Sequence, residues 1–284
     1  MIPASFEYYS PTTLKETVEL LSSREDVKIL AGGQSLVPLM KLRLAKPGTI
    51  VDLSRIPNLS YIREQGNSVV LGSMTTHAEI EESDLLKKRC SLLPQTAATI
   101  GDVQVRNQGT IGGSLAHADP AGDMPAAILA LGAEMKAVGP NGERWIKAED
   151  FFIGLLTSAL EPNEILTEIR VPIFGRSKTA YLKAAQRASG FAVVGIAVCL
   201  ELDRNESCRE IVIGVTGVGD KVYRAEGVEK TLRGKKLEPK LIKEAVAGVT
   251  RGIDIIADIN GSKEYRSHLA SVYTARAIQA AMQA

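Results

Sequence analysis

The spacing of apolar residues divides the first part of the chain into short strands and helices. Apolar runs bounded by turn residues predict buried strands over residues 26–31, 50–53 and 68–72. Helical spacing predicts helices over residues 10–21, 36–44 and 125–131, one or two helices over residues 85–100, and one beginning near residue 78. We expect Ser10 to cap the first of these helices and Asp123 the last, because short oxygen-bearing side chains accept hydrogen bonds from the first turn.

The second half of the chain places its strands before its helices. Strands are predicted over residues 134–138, 144–146, 165–171, 180–186, 191–200 and 209–215. Asn141-Gly142 lies between the first two and predicts a β-hairpin. Helices are predicted over residues 225–232, 239–250 and 265–282. This order indicates an α+β fold. The predicted domains span residues 1–176, divided into subdomains of about 1–57 and 58–176, and residues 177–284.

Length and composition are those of an ordinary globular protein. The chain has 284 residues, a formal net charge of +1 and about a quarter charged residues, which gives no general argument for nucleic acid or a membrane surface as a partner. The N-terminus lacks the basic start and apolar core of a secretory signal. Three cysteines without a Cys-x-x-Cys pair exclude an obvious disulfide framework, so a cytoplasmic setting is the simplest interpretation.

Two Gly-Gly segments are the strongest candidates for chemistry. Gly32-Gly33 follows a predicted strand and precedes a helix, and Gly112-Gly113 ends an apolar and amide-rich stretch that a polar loop follows. Adjacent glycines let successive backbone N–H groups converge on one point, which forms a nest for a phosphate. One such pair is also compatible with a tight turn that binds nothing. Two copies could hold the two phosphates of a dinucleotide.

Other motifs give little support for chemistry by the chain itself. The glycines at 214, 217 and 219 depart from the G-x-G-x-x-G spacing at Val222, and no P-loop is present. His117, Asp119 and Asp123 could be imagined as metal ligands, but their roles as cap and turn residues explain both aspartates. With three histidines and no readable triad, a cofactor that carries the chemistry suits the sequence better. No catalytic or metal-binding residue is therefore assigned.

The sequences AGGQS at residues 31–35 and TIGGS at residues 110–114 resemble the two flavin-diphosphate loops of a known family. This family comprises the FAD-binding medium subunits of molybdenum hydroxylases, such as carbon monoxide dehydrogenase and xanthine dehydrogenase. The resemblance covers nearly the whole chain. It implies a two-part N-terminal FAD-binding domain similar to that of vanillyl-alcohol oxidase, and a C-terminal three-stranded antiparallel sheet covered by helices.

The resemblance also implies which residues contact FAD. The diphosphate would be held through main-chain N–H groups and hydroxyls of two segments: Ile29, Leu30, Ala31, Gly32, Gly33, Gln34, Ser35 and Leu36, and Thr110, Ile111, Gly112, Gly113 and Ser114. Asp123 would bond the ribose or adenosine side, as an alternative to capping or in addition to it. In this family the second loop often ends in asparagine, where this chain has serine.

Four further positions follow from the resemblance. Ile100 would lie near the isoalloxazine or its linker, and Leu166 would contact adenine. Lys183 would lie near the N1–C2=O edge of the flavin, where an ammonium stabilises the negative charge of the reduced ring. Phe191 stands where some members have a tyrosine against the flavin face, although a buried position in a core strand is an equal alternative.

The family implies an electron-transfer subunit. A large molybdopterin subunit would supply electrons to 2Fe–2S clusters on a small subunit. This chain would accept the electrons from those clusters and pass them through FAD to an external acceptor. A dimer of heterotrimers is the expected assembly. The cysteine spacing needed for such clusters is absent from this chain, which places them on another subunit. A stand-alone flavin-dependent oxidase and a scaffold subunit without cofactor remain the alternatives.

Overall fold

A computed structural model of the chain describes residues 2–175, 177–187 and 189–284. The first unit is a small parallel sheet in which β3 lies between β1 and β2. A 3-10 turn at Leu53–Arg55 follows it. The elements of this unit are β1 (Glu7–Tyr9), α1 (Leu14–Ser23), β2 (Val27–Leu30), α2 (Leu36–Lys41) and β3 (Thr49–Asp52).

The second unit is a five-stranded antiparallel sheet of order β4-β5-β10-β6-β7, with helices between its strands. A two-stranded hairpin of β8 and β9 accompanies it. Its elements are β4 (Ile62–Gln65), β5 (Ser68–Gly72), α3 (His77–Glu82), α4 (Asp84–Arg89), α5 (Leu92–Ala97), α6 (Val103–Gln108), α7 (Ile111–His117), α8 (Asp123–Ala130), β6 (Glu134–Gly139), β7 (Gly142–Lys147), α9 (Ala148–Phe151), β8 (Phe152–Gly154), β9 (Thr157–Ser158) and β10 (Ile165–Pro172).

The third unit is an antiparallel sheet of order β11-β12-β13-β14. The three predicted strands form its body, and a two-residue strand that has no sequence signal extends one edge. Helix α12 packs on β11 and β12. The elements are β11 (Lys178–Ala184), β12 (Val194–Leu202), β13 (Cys208–Thr216), β14 (Tyr223–Arg224), α10 (Glu226–Leu232), α11 (Pro239–Val246) and α12 (Lys263–Gln283). The predicted boundary at residue 176 lies outside the described residues.

Helix α8 connects the second and third units, and all eight of its residues are buried. It packs on α5 and α7 on one side and on β12 and β13 on the other. Gly214 in β13 permits this approach, because a Cβ there would overlap the carbonyl oxygen of Ala126. Gly214 therefore allows α8 to pack closely on β13. The helix fixes the position of Asp123, its first residue, against the C-terminal sheet.

The predicted start of the first helix needs correction, whereas the predicted β-hairpin is confirmed. Helix α1 begins at Leu14 and not after Ser10, because the hydroxyl of Thr13 accepts from Glu16 N at 3.1 Å and caps it. Thr13 and Glu16 have the spacing of a capping box, which is the stronger signal. In the β6–β7 hairpin the loop residues are 140 and 141, and Gly142, with a φ of +106°, opens the second strand.

Candidate functional site: a glycine cradle and a buried lysine–aspartate pair

The first Gly-Gly segment forms an open loop between β2 and α2. Gly33 has a φ of +71°, a backbone conformation that glycine adopts without strain. Within the described chain, no protein group accepts a hydrogen bond from the backbone N–H groups of residues 32–36. Ser35 precedes α2, and its hydroxyl makes no capping bond. Five consecutive N–H groups are thus available to an anion, in the setting of a strand, a glycine turn and a helix start.

The second Gly-Gly segment has a different structure from the one predicted. Thr110 caps α7, and Gly112 and Gly113 lie in its first turn. Their N–H groups already donate, Gly112 to the carbonyl of Ser73 at 2.8 Å and Gly113 to the Thr110 hydroxyl at 3.1 Å. The prediction of a second backbone nest is therefore wrong. What this segment offers a ligand is the hydroxyl groups of Thr110 and Ser114.

The two segments nevertheless contact each other directly. A Cβ on Gly32 would overlap the carbonyl oxygen of Gln108 and lie 2.8 Å from the Cα of Gly109. A Cβ on Gly113 would lie 3.5 Å from the Cβ of Ala31. The segments are separated by about eighty residues of sequence, and glycine at position 32 is what allows their backbones to meet. We call residues 29–36 together with residues 110–114 the glycine cradle.

A short stretch at residues 73–77 supports the cradle from beneath. The carbonyls of Ser73 and Thr75 accept from the backbone of α7, and the N–H of His77 donates to Gly109 at 2.9 Å. Ser73 N in turn donates to the carbonyl of Thr167 at 3.0 Å, at a bulge in β10. The bulge directly follows Leu166, which is buried. These backbone bonds connect the second segment of the cradle, through Ser73, to Thr167, the residue that follows Leu166.

Sequence reasoning missed the supporting residues Ser73 and His77. The Ser73 hydroxyl and the His77 Nδ1 are buried and have no hydrogen-bond partner among the described residues. Burial lowers the pKa of His77 to about 4, with a smaller contribution from the Arg106 guanidinium. His77 is therefore a neutral imidazole at physiological pH. The only signal in the sequence was the predicted helix start near residue 78.

Asp123 lies in a buried cluster with two residues of β11. Its Oδ1 accepts from the Tyr181 hydroxyl at 2.5 Å, and its Oδ2 accepts from Lys183 Nζ at 2.9 Å. Lys183 Nζ also donates to the carbonyl of Thr99 at 3.0 Å, next to Ile100. The side chains of Lys183 and Asp123 are 6% and 5% exposed. Tyr181 and Lys183 share one face of the strand because side chains alternate.

This cluster corrects the capping role predicted for Asp123. Gly122 is the N-cap of α8, and no side chain caps the helix. The carboxylate turns instead toward β11, because an ion pair and a hydroxyl compensate for its burial. Burial raises the pKa of Asp123, and Lys183 and Tyr181 act in the opposite direction. Burial and the neighbouring Asp123 raise the pKa of Tyr181 well above its ordinary value.

Phe191 is exposed, which excludes the buried strand position. Its side chain is 64% accessible, and β12 begins only at Val194. The backbone around it is fixed, because Ala192 N donates to the carbonyl of Ala121 at 3.3 Å and Val193 N to Ala184 at 2.8 Å. Residues 191–193 precede β12 and are not part of it, contrary to the predicted strand over residues 191–200. The bond to Ala121 holds the ring close to the loop that leads into Asp123.

A metal centre is not evident in the described parts of the chain. No group of three or more histidine, cysteine or acidic side chains has metal-binding geometry there. His117 lies 3.9 Å from Asp119, and the three cysteines are buried and free. No helix among the described residues has both the length and the apolar character to cross a bilayer.

Comparison with known proteins identifies the family. The FAD-binding domain found in molybdopterin dehydrogenases matches residues 4–174, and the C-terminal domain of CO dehydrogenase flavoproteins matches residues 179–281. The chain belongs to the FAD-binding medium subunits of the molybdenum hydroxylases. This medium subunit is 38% identical to the glyceraldehyde dehydrogenase medium chain of Sulfolobus acidocaldarius, over 98% of this chain and 99% of that one. It is 39% identical to the carbon monoxide dehydrogenase medium chain of Hydrogenophaga pseudoflava, over 99% and 98%.

Solved structures agree with the fold of the medium subunit. Carbon monoxide dehydrogenase from Hydrogenophaga pseudoflava, in a form lacking the Mo-pyranopterin moiety, superposes with a TM-score of 0.97 at 39% identity, over 100% of this chain and 99% of that chain. Quinoline 2-oxidoreductase from Pseudomonas putida 86 superposes with a TM-score of 0.95 at 32% identity, over 100% of this chain and 99% of that chain. The predicted family and fold are thereby confirmed.

Proposed function

We propose that this medium subunit binds one FAD, with the diphosphate in the glycine cradle. The observation that supports this most is the contact of the first loop with the segment that carries the Thr110 and Ser114 hydroxyls; no described protein group accepts from the five N–H groups of that loop. Unpaired backbone donors beside a helix start favour an anion electrostatically. FAD supplies electron transfer when bound. The chain supplies the binding site and its electrostatics.

The remaining FAD contacts are extensions of this proposal. Leu166 would contact adenine, and in this proposal the bond of Asp123 to Lys183 replaces the contact with ribose or adenosine that the sequence predicted for it. Ile100 and Lys183 would lie along the flavin, since Lys183 is bonded to the carbonyl of Thr99. The exposed ring of Phe191 would lie against the flavin face. An ammonium next to the ring would favour its reduced, negatively charged form.

The subunit would then relay electrons within a larger assembly. A 2Fe–2S cluster takes four ligands, usually cysteines, and this chain has three cysteines, all buried. We therefore place the clusters on a small partner subunit and the molybdopterin on a large one, as a dimer of heterotrimers. A quinone, oxygen or NAD would be the external acceptor. Three free thiols support a reducing, cytoplasmic setting.

Two measurements on the purified chain and its native complex test this function. The chain should show absorption near ~450 nm and release one FAD on denaturation. Absence of that band after incubation with FAD would favour the scaffold alternative. A native pull-down should recover Mo and Fe with two further chains. Turnover of a small alcohol or amine by the isolated chain would favour the stand-alone oxidase instead.

A further inference from the structure

Tyr181 belongs to the buried cluster of Asp123 and Lys183, although no motif or residue spacing in the sequence indicated this. Its side chain is 6% exposed, and its hydroxyl donates to Asp123 at 2.5 Å. Gly195, on the neighbouring strand β12, makes room for this hydroxyl, because a Cβ there would overlap it. The register pairs Leu182 with Ile196 and Lys183 with Gly195, so that the glycine stands directly beside the cluster. The fold is thus built around the hydroxyl of Tyr181.

The arrangement leaves each carboxylate oxygen with its own donor. Tyr181 bonds Oδ1, and Lys183 bonds Oδ2 and the carbonyl of Thr99. A buried carboxylate is costly unless each charge is compensated, and removing one donor from such a site is more disruptive than removing a surface bond. The Tyr181 hydroxyl therefore helps to keep Asp123 ionised and in one orientation. The position of the Lys183 ammonium follows from that orientation.

We propose that Tyr181 is a positioning residue that, through Asp123, fixes the location of Lys183 and the net charge of the Lys183–Asp123 pair and thereby sets the reduction potential of the bound flavin. This inference rests on the proposed function for the presence of flavin beside Lys183. Tyr181 contacts neither the flavin nor a substrate in this scheme. It acts through the carboxylate.

The direction of the effect follows from the charges around Asp123. Lys183 and Asp119 are the charged groups that act on it, and the Tyr181 hydroxyl is its neutral donor. Loss of the hydroxyl disfavours the ionised carboxylate, so Asp123 takes up a proton more readily. The pair then carries a net positive charge. A positive charge next to the flavin favours its reduced, negatively charged form, so the potential should rise, and most at acid pH.

The test is the reduction potential of the FAD-loaded medium subunit carrying Tyr181→Phe, measured over a range of pH. We expect an unchanged FAD content and about a tenfold shift toward reduced flavin at a fixed potential, which is about 30 mV for a two-electron couple. The matched control is Tyr223→Phe, since Tyr223 is a partly buried tyrosine whose hydroxyl donates to the carbonyl of Val249 at 3.3 Å. A potential equal to that of the control at every pH would overturn the proposal.

A double-mutant cycle separates positioning from general packing. Tyr181→Phe should shift the potential in the wild-type background and have no further effect in the Asp123→Asn background, because the carboxylate through which it acts is gone. Equal shifts in both backgrounds would overturn the proposal. Absence of FAD from the wild-type chain would contradict the proposed function, not the role of Tyr181.

The same double-mutant cycle can be measured on the chain without cofactor. This measurement includes variants that no longer bind FAD. Thermal unfolding of the apo forms should give a clear coupling between Tyr181 and Asp123 and none between Tyr223 and Asp123. Additive effects of Tyr181→Phe and Asp123→Asn on apo stability would overturn the proposal. This measurement does not depend on bound flavin.

Discussion

The two Gly-Gly segments have similar sequences but different structures. The first is an open loop with a glycine at positive φ and five free N–H groups, whereas the second is the first turn of a helix whose N–H groups are used. Gly33 is required for its dihedral angle, and Gly112 for its contact with Ser73, where a Cβ would lie 2.5 Å from the carbonyl oxygen. The repeated Gly-Gly motif therefore predicts that the two segments lie close together, but it does not predict that they share a backbone conformation.

Gly32→Ala should have the largest effect on the contact between the two segments. The added Cβ overlaps the carbonyl of Gln108, so the two segments must separate. We expect an FAD affinity lower by about 100-fold, since loss of one or two hydrogen bonds to a charged phosphate costs about 3 kcal/mol of binding energy. The FAD content and the thermal midpoint with and without FAD measure this. Gly227→Ala in α10 meets nothing within 4 Å and is the control. Retention of full FAD occupancy would contradict the proposed contact.

Acid should destabilise the support beneath the second segment through His77. The pKa of this residue falls from 6.5 to about 4 on folding, because of burial. Its contribution to stability is complete above pH 6.5 and is lost as the pH falls toward 4, by up to about 3 kcal/mol. Chemical denaturation at several pH values should show a shallower pH dependence in His77→Leu than in the wild type. The exposed His268 gives the control, His268→Leu. An identical slope in His77→Leu and the wild type would refute the role of His77.

Alanine at Gly33 and at Gly112 should separate binding from stability. Gly112→Ala forces Ser73 away and should destabilise the apo chain by about 1–3 kcal/mol, with FAD still binding at saturation. Gly33→Ala strains the loop at a φ of +71° by about 1–2 kcal/mol and should weaken FAD binding by about tenfold. Gly33→Asn, which tolerates this conformation better, should recover part of the affinity. FAD titrations and apo unfolding curves measure both. If both alanine variants lost the same affinity and the same stability, the two segments would be equivalent.

The smallest expected effect belongs to Ser114→Ala. If the second segment contributes hydroxyls only, this change removes one neutral hydrogen bond, worth about 0.5–1.5 kcal/mol of FAD binding energy. The apo stability should not change, because no described protein group bonds the Ser114 side chain. Isothermal titration with FAD tests this, with Ser114→Thr as the variant that keeps the hydroxyl. Equal affinity in all three forms would exclude a hydroxyl contact at this position.

Local sequence signals were sufficient where a structure depends on neighbouring residues. The strand and loop around Gly33, the β6–β7 hairpin and the three long C-terminal strands follow from periodicity and turn residues. Thr13 and Glu16 also carry a local capping signal, which outweighs that of Ser10. The family and the fold were predicted from the two segments together with the order of elements.

Other features depend on contacts between distant residues. Helix α7 has two glycines in its first turn, which disfavour helix, and it forms because Ser73 and Thr75 accept from its first N–H groups. Asp123 has the sequence pattern of a cap, but its partners Tyr181 and Lys183 lie 58 and 60 residues further on. The backbone that follows the exposed Phe191 is likewise bonded to a distant residue, since Ala192 N donates to the carbonyl of Ala121. No local rule could predict these.

The complete enclosure of α8 bears on how the chain can be divided. A fragment ending near residue 176 would leave this mainly apolar helix without the β12–β13 surface that covers it, and such a surface promotes aggregation. The amides of α8 should be among the slowest to exchange with deuterium, since only global opening exposes them. Two sequence domains would then melt as one cooperative body, and limited proteolysis between them would not release a folded N-terminal half.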